Sequence, residues 1–295
     1  MTEELYTRRN IAECMNAAWT LLSTNISRVT KALWLPALLF AIINAFATPF
    51  FTSLQLRNMQ EQKTIFDLVS SFLFVVLFFL AGSFINAKTF KLVNEQNMHF
   101  CFNRSLKTYA ISYFLAFVFI ILLLISINIG FYAVNTGKLG AITTLTIFSI
   151  SLIILTLLFL ILYSPFSYVF TKYMIEPGSK LKHIWIYYKI GFKNINFIIT
   201  FLLLSCILVG IVYGITALPS VIVMLSARYS NEGILNGDPS GLPGYFPILN
   251  GAVGFITSFI ITILMIWFAF AQYYMYASIE TKNGCKELKT TEIKE

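Results

Sequence analysis

The stretch Lys31–Phe51, KALWLPALLFAIINAFATPFF, carries a single charge on its first residue and no acid. About 20 consecutive apolar residues are what a helix needs to cross the hydrocarbon of a bilayer. Five comparable runs follow, and this repetition constrains the fold more than any other feature. A chain of 295 residues cannot hide six such segments in a water-soluble core, because the surface of a soluble protein needs polar cover. Only 12% of the residues are charged, against about 25% in ordinary soluble domains, and Phe alone fills 29 positions. The chain is therefore read as all-α, a polytopic membrane protein with six transmembrane helices. They form three hairpins in a single integral membrane domain, 1–295, with cytoplasmic interfacial helices.

The pass along the chain sets the boundaries. Residues 10–30 place Ile11, Met15, Ala18, Leu22 and Val29 at helical spacing, which predicts an interfacial helix with Trp19 and Arg28 at headgroup height. Spans are expected at about 32–52, 65–86, 109–133, 141–168, 195–225 and 251–276, followed by a fraying cytoplasmic tail, 277–295. Pro36 reads as a first-turn residue, Pro49 as a stop or bend and Pro165 as a kink; the fifth span is overlong, so either it tilts or Pro219 splits off its last turn. Ser179, after Pro177-Gly178, reads as the N-cap of a second interfacial helix carrying Leu181, Ile184, Trp185 and Tyr188 on one face. The first 30 residues lack an apolar core followed by a small-residue cleavage site, so the first span is expected to act as an uncleaved anchor.

Seventeen of the 21 Lys and Arg residues fall in the N-terminal piece, the 2–3 link, the 4–5 link and the tail; only Arg57, Lys63, Lys138 and Arg228 lie on the other side. The positive-inside rule then puts both termini in the cytoplasm, as an even number of spans requires. The net charge of +8 is accounted for by this topology signal, and no nucleic-acid motif accompanies it. Each hairpin opens on a basic aromatic piece: Trp19 with Arg28 and Lys31, Phe102 with Arg104 and Lys107, Trp185 with Lys189 and Lys193. This reads either as a threefold parallel repeat or as convergence under membrane constraints.

Chemistry-bearing motifs are sparse. The four cysteines, Cys14, Cys101, Cys206 and Cys285, are scattered, which suggests neither disulfides nor zinc. His99 and His183 stand apart in basic segments, and no HExxH, GxSxG or phosphate loop is present; no cofactor is expected. Asp67 reads as a helix N-terminal acid and Asp238 as turn chemistry. Asn44, Ser83, Asn86 and Gln272 are the residues from which a polar groove would be built, and interhelical hydrogen bonding is the competing reading. Arg28, Lys31, Arg104, Lys107, Lys182, Lys189 and Lys193 are the candidate contacts to anionic lipid headgroups, with simple topology anchoring as the alternative.

The hairpin layout, together with Tyr173-Met174-Ile175-Glu176-Pro177-Gly178-Ser179-Lys180 and Tyr187-Tyr188-Lys189-Ile190-Gly191-Phe192-Lys193, resembles uncharacterised six-span bacterial membrane proteins. It is also similar to the membrane domain that some bacterial glycerophosphodiester phosphodiesterases carry ahead of a catalytic barrel. The barrel and its catalytic acids and histidines are missing from this sequence, so the resemblance lends it no enzyme activity and implies a lipid-side or accessory role in a bacterial cytoplasmic membrane. Two function classes follow. One is a binding or scaffold protein for membrane lipids or another membrane protein; the other is a transporter or permease for a neutral or amphipathic solute. A membrane enzyme would need Asp67, Asp238 or a His to meet a second polar partner.

Overall fold

The structure, a computed structural model, describes residues 6–59, 64–94, 96–135, 141–237 and 241–292. Eight α-helices account for most of them: α1 (Ile11–Thr24), α2 (Ile26–Met59), α3 (Ile65–Asn94), α4 (Met98–Asn135), α5 (Ala141–Ile175), α6 (Ile184–Lys193), α7 (Ile195–Leu235) and α8 (Phe246–Glu292). A 3-10 turn, Leu181–His183, leads into α6, and there is no strand among the described residues. Six helices (α2, α3, α4, α5, α7 and α8) are long and apolar enough to cross a membrane. In the most apolar window of α4, 0% of the residues are buried, and Ile120, Leu122, Leu124 and Ile125 all lie exposed. A helix apolar all round, with no residue of that window fully covered by protein, needs lipid as its solvent.

The helices are longer than the spans expected from hydropathy. α2 runs for 34 residues and α8 for 47, well past the apolar core of each. The segment 10–30 is not one helix: it breaks at Asn25, whose Nδ2 donates to Leu21 O at 3.0 Å, and the remainder is continuous with the first span. Pro36 is consequently an interior residue, and α2 passes through Pro49 to Met59. α7 likewise runs through Pro219 as far as Leu235. It ends at Gly237, whose φ of 91° is the left-handed conformation that closes helices and favours glycine. Asp238 lies outside the described residues.

A helix-interior proline strips one carbonyl of its amide, and in two cases the structure shows what stands beside that carbonyl. Pro165 deprives Ile161 O, and Ser164 Oγ donates to that oxygen at 3.2 Å. Pro49 deprives Ala45 O, which stands only 2.8 Å from where a β-carbon on Gly251 would lie.

Contacts divide the chain into two compact units. The first comprises Met1–Cys14, Asn103–Leu203 and Gln272–Glu295. Within it α4 pairs with α5 through Phe119 and Phe159, stacked with centroids 4.1 Å apart, and through Ser126 and Ser151 at 3.3 Å. α6 lies on α5 where buried Gly191 meets Pro165; a β-carbon there would stand 3.0 Å from Pro165 O.

The second unit comprises Met15–Phe102 and Leu204–Ala271. It contains the α2–α3 hairpin, joined by Phe40 on Phe78 and Phe50 on Phe74. It also contains an α7–α8 cluster of Val223, Ala227 and Phe246 with Leu242 and Val253 against it.

The seam between α2 and α8 in this unit is polar and has a period of four. Asn44 Nδ2 donates to Ser258 Oγ at 2.6 Å, Thr48 lies against Gly254, and Asn250 Nδ2 donates to Thr52 Oγ1 at 3.0 Å. Small residues and side-chain hydrogen bonds are what hold helices together where lipid is as apolar as their own side chains.

Candidate functional site

Arg104 does not reach headgroups, and this corrects the expectation from its place in a basic segment. It is buried, and its guanidinium is enclosed by the turn that follows α5. One edge donates to Tyr173 O and to Glu176 O (2.6 Å); the other donates to Pro177 O (2.7 Å) and Ser179 O (3.0 Å). Its face lies 4.5 Å from the Tyr173 ring centroid. The last carbonyls of a helix have no amide partners and carry its negative end, so a guanidinium there both caps and compensates. Ser179 is part of the same turn. Its hydroxyl donates to Glu176 O at 2.8 Å, back toward α5, and Lys180 rather than Ser179 stands at the start of the 3-10 turn.

Beside this turn is an ionic cluster that the sequence reading missed. Lys172 Nζ lies 2.9 Å from Glu280 Oε1 and 3.3 Å from Glu176 Oε1, with only 12% of its side chain exposed. Tyr168, fully buried, donates to Glu280, and Tyr276 donates to Glu176 Oε1 at 2.5 Å. Lys172 and Glu176 sit at i,i+4, a signal visible in the sequence, but Glu280 is supplied by α8 from 108 residues away. Every carboxylate in the cluster is met by both a cation and a phenol, the condition under which buried charge is tolerated. The cluster clamps α8 to α5 inside the first unit. Among the described residues no group of three or more His, Cys, Asp or Glu could hold a metal ion.

The polar residues expected in a groove are distributed between the two units. Asn44 is engaged in the α2–α8 seam. Ser83 is buried and returns its hydroxyl to Phe79 O at 2.7 Å, as helix-embedded serines do. Asn86, half-buried, lies a turn further along α3. In the other unit Gln272 Nε2 donates to Ser167 Oγ at 3.1 Å. Asp67 closes a reciprocal cap with Thr64: its carboxylate accepts from Thr64 Oγ1 at 2.8 Å and from Thr64 N at 3.1 Å.

The remaining headgroup candidates, Arg28, Lys31, Lys107, Lys182, Lys189 and Lys193, are all exposed. In the second unit an open groove of about 670 Å³ sits at the α1–α2 break, with Thr24, Asn25, Ser27, Arg28 and Lys31 along it. Trp19 and Trp34 are more than half exposed on the helices that form it. In the first unit α6 presents Lys189 and Lys193 together with Trp185, which is 64% exposed, and Lys182 lies on the 3-10 turn that leads into it. Tyr188 stacks on Trp185 at 5.4 Å, packs against Phe166 at 5.0 Å and donates to Leu162 O at 3.0 Å. Burial of this phenol pushes its pKa up, so it stays a donor throughout the neutral range.

Cys14, on α1, is buried, and burial pushes its thiol up to about 11, with Glu13 adding and Arg9 opposing. It packs as a small apolar residue. Comparison with known proteins adds no relative: no family model, curated protein or solved structure matches the chain.

Proposed function

We propose that this six-span protein is a lipid-binding or accessory protein of a bacterial cytoplasmic membrane, gripping anionic headgroups at its basic helix ends. The observation that carries the reading is α6 with the 3-10 turn that leads into it. Trp185 and Phe192 lie exposed together with Lys182, Lys189 and Lys193, while Gly191 against Pro165 and the Tyr188–Leu162 hydrogen bond hold the helix on α5. Aromatic rings at headgroup depth beside Lys are the means by which a surface helix holds an anionic leaflet, at about 1 kcal/mol per Lys. The groove at Arg28 and Lys31, on helices that also expose Trp19 and Trp34, repeats the combination in the other unit. The excess of basic residues on these segments supports a cytoplasmic location for both. The layout's similarity to the membrane domain of certain phosphodiesterases is in keeping with work at a lipid surface.

The test is native mass spectrometry of protein exchanged into mixed phosphatidylglycerol and phosphatidylcholine nanodiscs. Phosphatidylglycerol should be retained preferentially, and Lys182→Gln, Lys189→Gln and Lys193→Gln combined should abolish the preference. Equal retention of both lipids by the native chain would refute the proposal. A stoichiometric co-purifying protein would define the accessory role.

A further inference from the structure

A pocket of about 420 Å³ lies wholly within the first unit, formed by three separate pieces of chain. Arg8 and Arg9 come from the segment entering α1, Asn194 from the α6–α7 junction, and Ser278 and Lys282 from α8. Its volume falls in the range of about 300–1,000 Å³ typical of small-ligand sites. Among the described residues three cations line it against one carboxylate, that of Glu13. Glu13 faces its own helix end: Oε2 accepts from Asn10 N at 2.9 Å and Oε1 from Asn10 Nδ2 at 2.8 Å. Asn10 Oδ1 completes the cap by accepting from Glu13 N at 2.8 Å.

The cationic segment is held in place. Arg9 N donates to Ser278 Oγ at 3.1 Å, Ser278 Oγ donates to Arg9 O at 2.8 Å, and the Arg9 guanidinium lies 4.9 Å from the Tyr274 ring centroid. Arg8 and Lys282 meet no carboxylate within salt-bridge distance among the described residues. The two cations without a carboxylate partner, Arg8 and Lys282, match in this cradle a phosphomonoester, which carries about −1.5 to −2 at neutral pH. Arginine adds the planar fork that phosphate oxygens accept in pairs.

We infer that the pocket of Arg8, Arg9 and Lys282 is a binding site for a phosphomonoester group. The inference uses different residues from the headgroup reading of α6 and stands apart from it. A lipid of the phosphatidic acid type and a soluble sugar or glycerol phosphate offer the same chemistry.

The experiment uses the full chain in detergent, titrated with glycerol 3-phosphate by calorimetry. In parallel, the chain reconstituted into phosphatidylcholine vesicles is compared with and without phosphatidic acid by native mass spectrometry. Arg8→Gln and Lys282→Gln should each weaken binding about tenfold, while Arg228→Gln, at an exposed pair with Glu232, should leave it unchanged. Saturable binding in the first arm assigns a soluble phosphomonoester, and selective retention in the second assigns the lipid headgroup. Either result supports the site if it is lost in both pocket variants. Absence of binding in both arms, or binding indifferent to Arg8→Gln and Lys282→Gln in variants of unchanged thermal midpoint, overturns it. Retention of phosphatidylglycerol, a phosphodiester, as strongly as phosphatidic acid also overturns it.

Discussion

Substituting Gly251 by Ala puts the α2–α8 seam to its sharpest test. A β-carbon built there stands 2.8 Å from Ala45 O and 3.7 Å from its carbonyl carbon. Carbon and oxygen settle at about 3.3–3.6 Å, so α2 must retreat by roughly half an ångström or more. The obstacle is backbone, and no side-chain rotation relieves it. Overpacking of this kind costs about 1–3 kcal/mol. Against it stands the gain of up to about 1 kcal/mol from replacing a helical glycine by alanine. Gly210→Ala on α7 isolates that gain, since its β-carbon meets nothing within 4 Å. The difference between the two variants is therefore the packing cost itself, about 1–3 kcal/mol. Thermal midpoints in one detergent, read by fluorescence-detected size exclusion, should place Gly251→Ala several degrees below Gly210→Ala. A midpoint for Gly251→Ala equal to or above that of Gly210→Ala would refute the close approach of these helices.

Other perturbations follow from the first unit and from α1. Arg104→Ala leaves several carbonyls without a donor at about 1–3 kcal/mol each, and Arg104→Lys cannot reach them all. Both should lower the thermal midpoint sharply, while Lys107→Ala, exposed three residues on, should not move it. In the ionic cluster Lys172→Met leaves two carboxylates without their shared cation, whereas Glu280→Gln preserves the Lys172–Glu176 pair. Lys172→Met should be the more destabilising in an SDS titration, and the opposite order would disprove the bridging geometry. With Cys206 and Cys285 replaced by serine, the buried Cys14 and Cys101 should resist maleimide at neutral pH and react fully after SDS denaturation. For Cys14 the raised pKa alone lowers the thiolate fraction about 100-fold from that of an ordinary thiol. Rapid labelling of the native protein would contradict its burial.

Asp67 was legible because Thr64-x-x-Asp67 is a local signature, whose partners lie within one turn. Gly251 and Gly254 stand at the start of the apolar run 251–276, but the α2 backbone they face cannot be read there, since it lies some 200 positions away in the chain. Arg104 misled for a related reason. Its neighbours in sequence are basic and polar, while the five atoms that receive its hydrogen bonds belong to residues 173–179. Pro36 and Pro219 misled through a local rule that a membrane relaxes, since α2 and α7 run through them.

What the sequence by itself determined is the part set by solvent. Apolar length specifies six spans, because an unsatisfied backbone in hydrocarbon is too costly for anything but a helix. What only the tertiary structure decided is the destination of each charge. Lys189 and Lys193 remain in the open, Arg104 closes a helix end, Lys172 bridges two carboxylates, and Arg8 and Lys282 meet in one pocket. Solvent preference depends on the composition of a segment, whereas pairing depends on which distant segment is brought alongside. Hydrophobicity is the same toward lipid in every direction, so only close packing and directional hydrogen bonds choose the neighbour.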